Sequence, residues 1–271
     1  MLAEAKDLLK QTYLSAWNKL ADFPDLQSYA EEKYVHSLQV LGAGNYILQH
    51  EDFFIKQTSD FIELARTVLV LHDIARFEEA ILKSQNIKKY DHSVEGANIL
   101  KNHEVFGNIL ITLPIKHHGH MIEDFYDDED FKTIYDNKQK EDIKNLIFLV
   151  RDADKIANFA QLCNPVFKKW HYLFFSKEEA LGEITPIIRD IFLKEQVTPR
   201  QYIQTKVDRI LNLLSWFYDL NYQSSFTFCR KLNIDHKMIN IFKSSMRDNI
   251  DKEVLQKISM YIEQKIPFTV K

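Results

Sequence analysis

Residues that break helices are scarce in this chain: six glycines and six prolines punctuate 271 residues, so long stretches run with nothing to stop an α-helix. Apolar residues fill those stretches at helical spacing. From about Ala3 to Ala21, Leu8, Leu9, Tyr13, Trp17 and Leu20 recur at such intervals, and Pro24 marks a break. A second helix is predicted over about Leu26 to Gln49, with a stripe through Tyr29, His36, Val40, Ala43 and Ile47. A third, from about Ser59, carries Phe61, Ala65, Val68 and His72 on one face, with Asp73 beside it. His92 opens another, through Gly96, Ile99 and Leu100 to about His103, and residues 105–118 continue helically with a kink or restart at Pro114. From about Lys140 a strongly apolar helix runs through Ile143, Leu146, Ile147 and Val150 into Asp152 and Asp154, with Asp154 on the buried face. The expectation is an all-α fold.

Beyond Pro165 the texture changes. An aromatic stretch at Trp170, Tyr172, Phe174 and Phe175 precedes helical segments near Pro186 to Lys194, Pro199 to Leu220, Ser224 to Leu232 and Lys252 to Lys265. None holds a dense set of ligand-type residues. The chain therefore reads as a helical bundle over 1–165 with a helical extension over 166–271 packed on it. Hydrophobic residues at 45% supply a large core and exclude disorder. The 35 basic and 39 acidic residues are well mixed, and a net charge of -4 gives no electrostatic case for nucleic acid as the main partner. Cys163 and Cys229 are too few and too far apart for a disulfide framework or a thiolate zinc site, which fits a reducing compartment. The opening MLAEAKDLLKQTYLSAWNKL lacks the apolar core of a secretory signal, and no apolar run reaches membrane-spanning length. A cytoplasmic location and no membrane partner are expected.

Ligand-forming groups on buried helix faces are costly unless paired, hydrogen-bonded or bound to metal. Here they are His36, His72, Asp73, His92, His117, His118 and Asp154, spread over five predicted helices. A lone histidine on an apolar stripe is more often a satisfied core residue. Seven groups able to converge point instead to the open imidazole and carboxylate shell of a catalytic metal. The acidic run EDFYDDED, Glu123 to Asp130, reads as an exposed loop with no metal role.

Four segments follow one another over roughly residues 30–160: LHDIARFEEA (Leu71 to Ala80), DHSVEGANIL (Asp91 to Leu100), IKHHGH (Ile115 to His120) and VRDADKIANF (Val150 to Phe159). With His36 ahead of them, this order resembles the HD superfamily of metal-dependent phosphohydrolases, named for its adjacent His-Asp pair. It is also similar to a bacterial branch with HDIGRFEQ-like and RDADKLD-like segments and downstream helices like WFYDLNYQSSF (Trp216 to Phe226). The resemblance implies a four-ligand core of His36, His72, Asp73 and Asp154, with Asp154 preferred to Asp152 because it precedes Lys155. It implies His92 and one or both of His117 and His118 as the further ligands of two-metal members. Asp73, Arg76 and Lys155 are then the residues expected to act at the reacting phosphate. Arg76 stands where relatives often carry Lys, and its alternative is an ion pair with Glu79. The alternatives for Lys155 and Asp152 are a solvated helix cation and a carboxylate behind the ligands or on the helix surface. Asn158 matches a polar position of guanosine tetraphosphate hydrolases, and His103 and His120 are expected at the surface. The Gly-Tyr-Pro signature of the cyclic dinucleotide phosphodiesterase branch is absent after His117 and His118, which disfavours that activity.

The implied activity is hydrolysis of a phosphomonoester, phosphodiester or nucleotide by metal-activated water, with one or two divalent ions among Mn, Fe, Mg, Ni, Co and Zn. The implied partner is a phosphorylated small molecule or nucleotide. Two rivals stay open: an HD-type di-iron oxygenase built on nearly the same ligands, and a non-catalytic nucleotide-sensing module. Arg76 and Lys155 lean towards phosphate chemistry, and a homo-oligomer is left open.

Overall fold

Local capping chemistry sets several helix starts in the first half of the chain. Pro24 opens a long helix at its first position, where its missing N–H costs nothing. Thr58 Oγ1 accepts from Phe61 N, Asp91 accepts from Ser93 N and Val94 N, and Asn108 accepts from Leu110 N, each ahead of a new helix. The computed structural model describes residues 1–87, 89–173, 182–246 and 251–266, in which the regular elements are α-helices and short 3-10 turns with no β-strand. Phe174 and Phe175 lie outside the described residues. Two compact units result, Met1–Asp154 and Lys155–Lys271, so the division falls inside a long helix.

The first unit holds α1 (Leu2–Lys19), α2 (Pro24–His50), α3 (Asp52–Ile55), α4 (Ser59–Leu71), α5 (Arg76–Ser84), α6 (His92–Lys101), α7 (Ile109–His117), α8 (Ile122–Tyr126), α9 (Glu129–Lys132) and most of α10 (Asn137–Cys163). The second half of α4 is buried on nearly every side, at Leu64, Ala65, Thr67, Val68, Leu69, Val70 and Leu71. It is the central helix of the bundle. α1, α2 and α7 pack on it, α5 packs on α2, and α6 packs on α7. Gly44 lets α2 approach closely, because a Cβ there would run into the Leu69 side chain.

Two expectations are corrected here. Residues 102–108 form turns around buried Phe106, and α7 begins only at Ile109, where Asn108 caps it; the helix then continues through Pro114. The acidic run is exposed over most of its length, as expected, but it is not a loop. It folds into α8 and α9 because Phe125 is driven into a core of Leu113, Ile134, Ile143 and Ile147.

The second unit holds the end of α10, a 3-10 segment over Pro165–Leu173, α11 (Pro186–Leu193), α12 (Lys206–Ser215), α13 (Gln223–Lys231), α14 (Ile234–Ser245) and α15 (Lys252–Lys265). The single helix expected over Pro199 to Leu220 is broken. A capping box between Thr205 and Asp208 starts α12 afresh, and Trp216–Asp219 tightens into a 3-10 turn. Asn233 takes a left-handed φ of 56°, which separates α13 from α14. No described helix is long and apolar enough to cross a membrane.

Candidate metal centre

Four elements bring ligand atoms to one carboxylate, that of Asp73. Tyr29, Lys33 and His36 recur at helical spacing along α2, and His36 is buried on that face. α4 stops at Leu71, and the turn joining it to α5 carries His72 and Asp73, at 0% and 3% exposure. His92 is the first residue of α6, placed by the Asp91 cap, and His118 follows the last residue of α7.

His36, His72 and Asp73 form one group whose ligand atoms lie within 4.8 Å of one another, and Asp73, His92 and His118 form a second. Asp73 belongs to both. Its Oδ1 lies 3.3 Å from His92 Nε2 and 3.4 Å from His118 Nε2, and its Oδ2 lies 3.7 Å from His72 Nε2. Asp154, from α10, places Oδ1 2.8 Å from His36 Nε2 and 3.9 Å from His72 Nε2. The structure thus gathers His36, His72, Asp73, His92, His118 and Asp154.

Tautomers follow from the partners. His72 Nδ1 lies 2.9 Å from the Leu69 carbonyl and His118 Nδ1 lies 2.7 Å from that of Ile115. A carbonyl only accepts, so each Nδ1 carries a proton, which leaves Nε2, turned towards Asp73, as the ring atom placed to ligate. His72 Nε2 is buried and has no hydrogen-bond partner. Such an orphaned acceptor, facing two carboxylates, is what a bound cation satisfies.

The electrostatics agree. Burial pushes His72 down to about 4, against the pull of Asp73 and Asp154, and pushes His92 down to about 2, so both imidazoles are neutral ligands at neutral pH. Burial alone would raise Asp73, yet the Arg76 guanidinium beside it holds it well below the ordinary carboxylate value. Asp154 is likewise lowered against its burial, chiefly by His36. Neutral imidazoles with ionised carboxylates and no thiolate suit a divalent transition metal, so these residues fit one.

Two cations flank Asp73. Arg76 Nε lies 3.3 Å from Oδ1 while its Nη1 lies 2.8 Å from Glu79 Oε2, so it stands beside the centre and also pairs with Glu79. Lys33 Nζ lies 3.9 Å from Oδ2 and 3.2 Å from Glu32 Oε2. Lys33 was not singled out from sequence; the available signal was its place one turn before His36 on the same face. Beside His92, a cavity of about 610 Å³ is lined by Lys89, Tyr90, Asp91, Ser93, Gly119 and His120.

Other expected site residues are placed elsewhere. His117 faces away from the group: its Nε2 lies 2.6 Å from Asp128 Oδ2, which Lys116 Nζ also meets at 2.7 Å. Asp128 comes from the acidic run, so that run contributes one anchor for α7 while its other carboxylates face solvent. Lys155 pairs with Asp219 Oδ2 at 2.9 Å and is 8% exposed, so it is not a solvated helix cation. Asp152 is fully buried, Asn158 is half-buried, His120 meets Asp91 Oδ2 at 2.9 Å, and His103 stacks on Phe106 at 4.4 Å. Arg151, also unremarked in sequence, donates from Nη1 to the carbonyls of His117, His118 and His120, which ties down the end of α7 that carries His118.

The HD domain family model matches residues 34–158, a span that contains the six gathered groups. No curated protein and no solved structure matches the chain. The helical bundle, the His-Asp pair in the turn after α4 and the family match agree: residues 34–158 of this chain are an HD domain.

Proposed function

We propose that the protein is a hydrolase of phosphate esters or anhydrides, with His36, His72, Asp73, His92, His118 and Asp154 as the residues that hold one or two divalent ions. The HD family is one of metal-dependent phosphohydrolases, and its domains bind divalent metals. The observation that carries the reading is the Asp73 carboxylate, shared between two imidazole groups and flanked by Lys33 and Arg76. A divalent ion, when bound, supplies Lewis acidity towards a phosphoryl oxygen and lowers the pKa of water.

The chain's own residues do the rest. Neutral His72 and His92 offer lone pairs without proton loss, and Asp73 and Asp154 supply the negative charge that retains a cation. Arg76 remains positively charged, since Asp73 and Glu79 outweigh its burial. Arg76 and Lys33 are positioned to bind phosphoryl oxygens, where fixed cations contribute most as charge develops. The same two cations favour phosphate over dioxygen chemistry. Lys155 pairs with Asp219, whereas Arg76 reaches Asp73 itself, which makes Arg76 the first choice for phosphate contact. The substrate is a phosphorylated small molecule or nucleotide, with the cavity beside His92 receiving the part beyond the phosphate.

The test is metal analysis of the purified chain, then a screen of phosphomonoesters, nucleotides and cyclic dinucleotides with Mn, Mg, Ni or Fe. His72→Ala is expected to lose both metal and turnover. Full turnover in that variant, or oxygen consumption without phosphate release, excludes the reading.

A further inference from the structure

The Arg76 guanidinium does not stand alone. Its Nε is directed at Asp73 Oδ1 and its Nη1 at Glu79 Oε2, and Nη2 has no partner among the described residues. A planar fork fixed at two corners presents its remaining edge in one direction. Glu79 Oε2 also accepts from the Tyr29 hydroxyl at 2.8 Å, and Glu79 Oε1 receives Lys83 Nζ at 3.0 Å. Tyr29 is 8% exposed and comes from α2, the helix that also carries Lys33 and His36.

An Arg and a Glu three apart on an exposed helix would contribute little. This pair differs because a buried hydroxyl from a second helix closes on the same oxygen. Burial and the Glu79 charge keep that hydroxyl protonated, hence a donor. The result is a chain of contacts from Tyr29 through Glu79 and Arg76 to Asp73.

We propose that Glu79 and Tyr29 are positioning residues that hold Arg76 beside Asp73 with one N–H edge directed at a phosphoryl oxygen. This rests on the phosphate reading of the site. Neither residue touches substrate; each acts through Arg76. Glu79→Gln leaves one acceptor oxygen for three donors and turns an amide NH₂ towards either Arg76 or Lys83. Tyr29→Phe removes one donor and nothing else.

The experiment is titration of the manganese-loaded chain with inorganic phosphate, alongside manganese uptake and melting temperature, in wild type, E79Q, Y29F, R76A and the E79Q/R76A and Y29F/R76A pairs. Manganese uptake is expected to be unchanged in E79Q and Y29F. Phosphate affinity is expected to fall about tenfold in E79Q and about threefold in Y29F, the scale of a lost charge-assisted and a lost neutral hydrogen bond. In the R76A background both effects vanish, which a merely structural role would not produce. If wild type binds manganese and phosphate while E79Q and Y29F bind phosphate equally well, the tether is overturned and the function reading stands. Equal losses with and without Arg76 also overturn it. A wild-type chain that takes up neither manganese nor phosphate overturns the function reading and the tether together. Should E79Q fail to fold, Y29F with and without Arg76 decides.

Discussion

Both units bury polar residues, and they satisfy them in different ways. In residues 155–271, Asp208 accepts from the backbone N–H groups of Thr185, Gln204 and Thr205 and from the Thr185 hydroxyl. Thr198, Asn212 and Ser215 close a second small network: Asn212 Nδ2 donates to Thr198, and the Ser215 hydroxyl donates back to the Asn212 carbonyl. These groups hold loops onto helix ends. In residues 1–154, six buried or half-buried imidazoles and carboxylates face one another, and His72 Nε2 is left with no partner. Both metal-type groups among the described residues lie in that first unit. Burial of a polar side chain is therefore no sign of function by itself; convergence of imidazoles and carboxylates that leaves a buried ring nitrogen unpartnered is.

The sharpest way to break this contrast is to make the same change in both units. Asp73→Asn is expected to abolish metal uptake and lower phosphate-ester hydrolysis by about a thousandfold or more, the scale of losing a principal electrostatic element. Asp208→Asn is expected to leave metal content untouched and to cost about 3 kcal/mol of stability, because a neutral amide cannot accept from every donor that faces it. Metal analysis and denaturant melts of the two variants check this. Loss of metal from the Asp208 variant would erase the distinction.

The adjacent histidines offer the next test. His118→Gln is expected to weaken metal binding about a hundredfold. His117→Gln should leave metal binding intact and cost about 1 to 3 kcal/mol by breaking the bond to Asp128. Competition with a chromophoric chelator, alongside thermal melts, reads both quantities.

These pairs also mark what sequence could and could not reveal. His36 was legible because it sits on an apolar stripe of α2, and His72, Asp73 and Asp154 because their motifs resemble those of HD proteins. The long helices were legible for the same reason as the stripe: a 3.6-residue period over many turns is hard to imitate. α8 and α9 span five and four residues, too few for periodicity to show, so the acidic run passed for a loop. The choice between His117 and His118 was hidden with it. One residue turns a helical side chain by about 100°, and which of the two faces the core depends on where α7 ends and on Asp128, neither of which the local sequence announces. Lys33 was not singled out and Glu79 entered only as a possible partner of Arg76, because what marks them further is contact with Asp73 and Tyr29 across helices.

Acid should separate the units more gently. His72 and His92 are held neutral by burial, with folded values of about 4 and about 2 against an ordinary 6.5. The unfolded chain therefore takes up protons first. Stability is fully present above about pH 6.5 and declines as pH falls from there towards 4, and the lowered Asp73 adds to the loss further down. The melting temperature of metal-free protein is expected to follow that course, and His92→Gln to flatten it. An unchanged slope in the His92 variant would place the acid sensitivity elsewhere.

The smallest effect is the most discriminating about how the two ligand groups depend on each other. A Cβ on Gly119 would stand 2.7 Å from Ser93 Oγ and 3.5 Å from His92 Cε1. Ser93 is fully buried, which leaves its hydroxyl little room to turn, so Gly119→Ala is expected to push the end of α7 from the start of α6. That displacement separates His118 from His92 without touching His36 or the turn at His72 and Asp73. About 1 kcal/mol of stability should be lost. If the chain holds two ions, one should weaken and the other stay, which a metal titration of the variant would register as two steps where the wild type shows one. If both weaken together, Asp73 couples the groups so tightly that they act as a single site.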